Sequence, residues 1–443
     1  MNTPGVVAFG NVAEYHNATE LFGDKAAEPW IRNAAAISPL SLFWSGCDSL
    51  AIVEEPQPAP VFSRLKKLFP LRNFEMITTG GHPEKLSEAI LCDSILFKRL
   101  AASFRRGAFF EPWGGTSKLE KLLVAFEEEK ALPQNFNPLA SGQSWRRSYL
   151  GAKSGFRDFS TNRGFPLPEG WVFSSLDLAI GAAANCALRG EGVVIKAERG
   201  VGGACQLFSP PSSSSDKTTI EGRLEFYSRR VPELRRGAVV VERRIEGGLS
   251  LSGQGFCYFK GGFNSHFLAR QLHCVLPGGA MVGKGTLRWA DKRKLSTLLK
   301  ETGRAVSRFG YRGVLGVDFV TDSEGEVYMV EFNPRRTTLS HAAPLACGLL
   351  GEGWQERRTL LIPAPIEVSC SPEALFDKLE GSLFLREKGE GILVTSFTKT
   401  GLITTAIFGC GPERCVELSR ALPVKADFCS LALCGVTPGQ SFF

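Results

Sequence analysis

No stretch of 18 consecutive apolar residues occurs in the chain, so no segment reads as a membrane-spanning helix. The opening residues, Met1-Asn-Thr-Pro-Gly5, lack the basic segment and apolar run of a secretory leader, and the expected location is the cytosol. A large excess of one charge is also missing: 52 Lys and Arg face 45 Asp and Glu, a net charge of +7. That balance suits small anions such as nucleotides and places no demand for nucleic acid or a membrane surface. Basic pairs such as Arg146-Arg147, Arg229-Arg230 and Arg235-Arg236 are short and read as solvated surface. The twelve cysteines lack the close spacing of a zinc knuckle. Cys410 with Cys415 and Cys429 with Cys434 supply four thiols, but the second pair sits in an apolar run, so reduced, buried cysteines are expected. What the chain does have is 43% apolar and 22% charged residues over 443 positions, enough for a globular protein of several structural units.

The most informative stretch runs from Gly313 to Arg336. Val314 to Val320 forms one apolar strand, Asp322-Ser323-Glu324-Gly325 a turn, and Val327 to Phe332 a returning strand. Each strand carries an acid where a buried strand would not want one, Asp318 on the first and Glu331 on the second. Asn333, two residues beyond Glu331, faces the same side of the sheet. Antiparallel pairing would bring Asp318 and Glu331 together. Two carboxylates and an amide make an all-oxygen donor set, suited to a hard cation such as Mg²⁺ carrying nucleotide phosphates.

Upstream, Gly192 to Ala197 is a strand with Lys196 inside an apolar run. A lysine there is costly unless its ammonium meets a partner, and a phosphate is the natural one. The glycine-rich segment Glu198-Arg-Gly-Val-Gly-Gly203 follows, and its Gly200, Val201, Gly202 and Gly203 amides can face an anion. Gly237 to Glu242 is another buried strand, and Glu242-Arg243-Arg244-Ile245 ends it. Before these, a helix from Ser148 to Phe159 carries Lys153, and Gly164-Phe-Pro-Leu-Pro168 follows.

Residues 1–135 alternate strands and helices, which argues for a parallel sheet with helices on its faces and shows no dinucleotide glycine fingerprint. Strands are expected at Ser41–Trp44, Leu50–Val53, Phe74–Thr78 and near Phe109, with helices at Pro83–Arg105 and Lys118–Glu129. Near the other end, two strands about Lys399-Thr-Gly401 and a helix beginning at Gly411-Pro412 form a small α/β tail.

The order of these motifs resembles the ATP-grasp superfamily, with an acid on one strand and Glu331-Phe-Asn333-Pro-Arg335 on the next. The resemblance spans roughly residues 145–345. It implies an α/β protein with α+β lobes: a pre-ATP-grasp domain over 1–135, nucleotide-binding lobes over 136–360 and a small C-terminal domain over 361–443. It implies Mg²⁺, with Mn²⁺ as alternative, on Asp318, Glu331 and Asn333. ATP would be held by Lys153, Lys196, the Gly200–Gly203 loop and the hinge residues Glu242, Arg243, Arg244 and Ile245. Arg270, on a hairpin with His266 and His273, and Arg335 would stabilise a transferring phosphoryl group or an acyl-phosphate. Many members carry a ribose-binding acid about seven residues beyond Glu242. Leu249 stands there in this chain, with Glu246 as the nearest substitute. The implied activity is an ATP-dependent carboxylate–amine ligase acting on amino acids or peptides. A phosphotransferase or an inactive nucleotide-binding protein on the same scaffold are the alternatives. A homodimer is the common assembly of the superfamily.

Overall fold

Seventeen strands run through the described residues of the computed structural model, which are 5–45, 48–69, 73–133, 143–200, 206–209, 216–272 and 279–423. In chain order they are β1 Val6–Phe9, β2 Ser49–Val53, β3 Phe74–Thr78, β4 Phe109–Pro112, β5 Gly170–Phe173 and β6 Val193–Ala197. Then come β7 Gln206–Ser209, β8 Val239–Arg243, β9 Ser250–Cys257, β10 Phe263–Leu272, β11 Gly279–Gly283, β12 Gly313–Thr321 and β13 Val327–Asn333. The last are β14 Thr359–Pro363, β15 Ile366–Glu367, β16 Gly391–Phe397 and β17 Leu402–Gly409. The described residues divide into two units, one drawn from 1–144, 266–289 and 335–429, the other mainly from 145–265 and 290–334. Among them no helix is long and apolar enough to cross a membrane.

In the first unit, the alternation over residues 1–135 yields a four-stranded parallel sheet in the order β3-β2-β1-β4. Its inner strands β1 and β2 are short, apolar and buried on both faces, as parallel strands covered by helices require, whereas the edge strands β3 and β4 are partly exposed. Two expectations fail here. Ser41–Trp44 is not a strand, because Ser38–Phe43 winds into a 3₁₀ turn with Pro39 in its first turn. A four-residue apolar run carries no period that separates these outcomes. Pro83–Arg105 is not one helix, because the Asp93 carboxylate accepts from Ile95 N (3.1 Å) and Leu96 N (3.0 Å), capping a new helix over Ser94–Arg105. The same unit contains an antiparallel set in which β11 pairs β14, β14 pairs β17, and β17 pairs β16. The tail hairpin and the helix Pro412–Ser419 lie where the sequence places them, and Ile392, Ile403, Phe408 and Cys415 are buried in its core.

The second unit holds two antiparallel sheets. β5, β8, β6 and β7 form one in that order. β12 pairs with both β9 and β13 in the other. The helix Lys153–Thr161 packs its Phe156 and Phe159 rings against Phe332 of β13, with centroids 4.7 and 5.8 Å apart. This aromatic cluster fixes the helix to the back of the acidic hairpin, with Phe332 pointing away from Glu331 and Asn333.

Candidate functional site

The hairpin β12–β13 turns at Gly325, whose φ of +83° favours glycine. Asp322 Oδ1 accepts from Glu324 N (3.0 Å) and Glu326 N (2.9 Å), which tightens the turn. From that turn Thr321 pairs with Val327 and Phe319 with Met329. An uninterrupted ladder would then set Asp318 against Val330. A bulge intervenes, and Asp318 pairs with Glu331 instead. The bulge therefore places the two acids opposite each other. Asn333 Nδ2 completes the group by donating to Asp318 Oδ2 at 3.0 Å.

Two lysines converge on this hairpin. Lys153 is 6% exposed, and its Nζ lies 2.5 Å from Glu331 Oε1. The expected helix from Ser148 is in fact two helices, Gln143–Gly151 and Lys153–Thr161, separated by the extended Ala152. The break arises from Glu198, whose carbonyl accepts from Lys153 N (3.0 Å) and whose carboxylate accepts from Ser154 Oγ (2.5 Å) and Ser154 N (3.3 Å). A carboxylate at a helix N-terminus is favourable, and here it fixes Lys153 at the first position of the helix. Lys196 of β6 is equally buried. Its Nζ donates to Glu242 Oε2 (2.5 Å) and to the carbonyl of the bulged Val330 (3.2 Å). Glu242 of β8, 3% exposed, receives Arg157 Nη1 on its other oxygen at 3.2 Å. Arg157 escaped the sequence reading. The available signal was its spacing of four from Lys153, which sets both on one side of a helix.

Beyond Glu242 the backbone is partly committed. Arg243 N donates to Glu169 O (2.7 Å) and Arg244 N to Gly192 O (2.8 Å). Ile245 and Glu246 border a cavity of about 570 Å³, together with Tyr328 and Asp322. Leu249 N donates to Thr321 Oγ1 (2.8 Å), and a Cβ on Gly248 would lie 1.7 Å from Thr321 O, so this segment is pressed onto β12. Glu246 is exposed and sits 3.7 Å from Arg244. Gly200 is described, whereas Val201, Gly202 and Gly203 lie outside the described residues, as do His273, Cys429 and Cys434.

Arg270 and Arg335 belong to the first unit. Arg270 is exposed on β10, opposite Met281 of β11, and makes no hydrogen bond or ion pair among the described residues. Arg335 lies over the Tyr15 and Trp113 rings at 5.5 and 6.0 Å, within cation–π range. Its neighbour Arg336 is buried, 2.8 Å from Glu111 and 4.5 Å over the Trp44 ring. His266, four residues before Arg270 on the same strand, is exposed as well.

Asp318, Glu331 and Asn333 together fit a divalent cation with oxygen ligands. Among the described residues no group of three or more His, Cys, Asp or Glu gathers into a cage. Two carboxylates and one amide leave coordination positions for water and phosphate oxygens, the arrangement Mg²⁺ favours.

Known proteins support the same fold. Residues 262–339 match the ATP-grasp domain, a span that includes Arg270, Asp318, Glu331, Asn333 and Arg335. A curated relative, the L-propargylglycine–L-glutamate ligase of Streptantibioticus cattleyicolor, is 27% identical over 170 residues. That alignment covers 33% of this chain and 35% of the relative, so the chain spans about a third of that protein's length. Among solved structures, the biotin carboxylase of Campylobacter jejuni shares 11% identity at a TM-score of 0.56, covering 95% of this chain and 92% of that one. The biotin carboxylase domain of Hydrogenobacter thermophilus 2-oxoglutarate carboxylase, solved as a dimer with MgADP and bicarbonate, shares 14% at 0.53, covering 95% and 90%. An N5-carboxyaminoimidazole ribonucleotide synthetase solved with ADP shares 12% at 0.51, covering 95% and 97%. Residues 262–339 match an ATP-grasp domain, and the chain has the ATP-grasp fold.

Proposed function

We propose that the chain is an ATP-dependent ligase that activates a carboxylate as an acyl-phosphate and joins it to an amine, with amino acids or peptides as substrates. The observation that carries this reading is the bulge-set pairing of Asp318 with Glu331, bound to Asn333 and faced by the Lys153 ammonium. The ligase named above, whose name joins two amino acids, points to the substrate class.

Asp318, Glu331 and Asn333 would hold Mg²⁺ (or Mn²⁺), which supplies charge neutralisation for the phosphates when bound. The Lys196 ammonium has three protons and spends two on Glu242 and Val330, leaving one for a phosphate oxygen. Lys153 exchanges its contact with Glu331 for a phosphate oxygen. Of the three residues after Glu242, Arg243 and Arg244 have spent their N–H groups, so the Ile245 N–H is the main-chain donor left for the adenine edge. The resemblance assigns to the Gly200–Gly203 segment the role of shielding the activated acid from water. A substrate carboxylate oxygen attacks the γ-phosphorus and ADP departs. The amine then attacks the acyl carbon, inorganic phosphate departs, and the amine loses a proton. The resemblance assigns to Arg270 and Arg335 the charge on the transferring phosphoryl group and the acyl-phosphate. A cytosolic homodimer belongs to the same proposal.

The test is release of ADP and phosphate from MgATP against amino acids offered singly and in pairs, with Glu331→Gln as the blank. Release that needs two substrates and disappears in the variant is expected. Release with one substrate, leaving a stable phosphorylated product, overturns the ligase in favour of a phosphotransferase.

A further inference from the structure

Glu242 sits among more positive charge than it needs. Its Oε2 receives Lys196 at 2.5 Å and its Oε1 receives Arg157 at 3.2 Å. All three side chains are largely buried, at 4% exposure for Glu242, 7% for Lys196 and 12% for Arg157. The second guanidinium nitrogen of Arg157 donates to Pro168 O at 3.0 Å. On the remaining side Gly170 closes against the carboxylate stem, where a Cβ would stand 3.0 Å from Glu242 Cγ. The carboxylate cannot swing away from either cation without vacating a packed site.

The charge count matters. Lys196 and Glu242 alone would form a neutral buried pair, and a buried pair holds its ammonium tightly. Adding Arg157 makes a triad with net charge +1. The guanidinium occupies one carboxylate oxygen and confines Lys196 to the other. The third lysine proton and one uncompensated positive charge are then left to face an anion.

We propose that Arg157 is a positioning residue that shares Glu242 with Lys196 and so keeps a net positive charge on Lys196 for the nucleotide phosphates. This rests on the ATP-binding reading given above and adds a residue to it. Arg157 touches neither nucleotide nor substrate in this account; it acts through Glu242. A purely structural role, as an anchor for Pro168, makes a different prediction.

Equilibrium binding of MgADP and of adenosine is measured for the intact chain and for Arg157→Met, Arg157→Lys, Lys196→Met, Glu242→Gln and Arg157→Met/Glu242→Gln. Arg157→Met is expected to weaken MgADP by roughly ten- to a hundred-fold, the scale of one buried charged hydrogen bond, and adenosine by far less. Adding Glu242→Gln to Arg157→Met frees Lys196 and is expected to recover much of the MgADP affinity. Wild-type MgADP binding by Arg157→Met overturns the proposal. So does an equal loss for adenosine, or a double variant weaker than Arg157→Met. If Arg157→Met does not fold, Arg157→Lys carries the test: it keeps the charge and loses the Pro168 bond. MgADP binding within a few-fold of wild type is then expected, and a loss matching Lys196→Met overturns the proposal. Failure of the ATP reading itself appears elsewhere, as a wild-type chain that binds no MgADP.

Discussion

Replacing Lys153 by methionine tests the electrostatics of the site without any turnover. The substitution keeps the apolar stem and removes the ammonium 2.5 Å from Glu331. Asp318 and Glu331 then face each other across the hairpin without that cation. The Lys153 side chain is 7% exposed and that of Glu331 24%, so the pair lies between a surface and a fully buried ion pair. Surface pairs contribute about 0–1 kcal/mol, and breaking a buried one costs about 3–5 kcal/mol. The expected loss is about 1–3 kcal/mol at pH 7, bounded by those two cases. The sign with pH follows from the carboxylates. Two facing acids without their cation favour the protonated form, so the loss shrinks as pH falls toward about 4. The assay is urea unfolding of ligand-free wild type and variant at pH 7 and at pH 4.5, each with and without Mg²⁺. Mg²⁺ should recover more stability in the variant than in wild type. A loss that is the same at both pH values and indifferent to Mg²⁺ would refute the electrostatic reasoning and leave Lys153 as a packing residue.

Other consequences are separable from this one. Phe332→Ala removes a ring that is 1% exposed and packed on Phe156 and Phe159; it should cost about 3–5 kcal/mol in urea unfolding and loosen the Lys153 helix from the hairpin. Gly248→Ala puts a methyl 1.7 Å from Thr321 O; a loss of roughly 1–3 kcal/mol is expected, and an unchanged unfolding midpoint would contradict the close packing of this segment. Glu54 accepts from Ala13 N at 2.8 Å, and burial raises its pKa well above the usual carboxylate value. A raised acid pKa contributes stability below the unfolded value and loses it as pH climbs through the folded one. Glu54→Gln keeps the acceptor, so its melting temperature should rise relative to wild type at pH 8 and much less at pH 5.

The sequence made the hairpin readable because period-two alternation, a polar turn and two misplaced acids all agree over Val314 to Asn333. It did not reveal the bulge at Val330, whose carbonyl accepts from Lys196 of a strand far away in sequence. Lys153 was legible as a residue and misread as a helix interior, because Glu198, 45 positions on, decides where that helix starts. Lys196 could be singled out since a buried strand lysine needs a partner. That its partner in this structure is Glu242, shared with Arg157, required the register between β6 and β8. The parallel sheet followed from alternating strands and helices, whereas Val6–Phe9 was overlooked and Ser41–Trp44 misassigned, both four-residue runs too short to show a period.

In the proposed reaction a carboxylate oxygen ends up on phosphorus. With the substrate pair found in the release assay, the acid is supplied with oxygen-18 in its carboxylate and the inorganic phosphate is weighed by mass spectrometry. One labelled oxygen transferred to phosphate per bond formed is the predicted result. Unlabelled phosphate, with ADP and joined product still accumulating, would contradict activation through an acyl-phosphate.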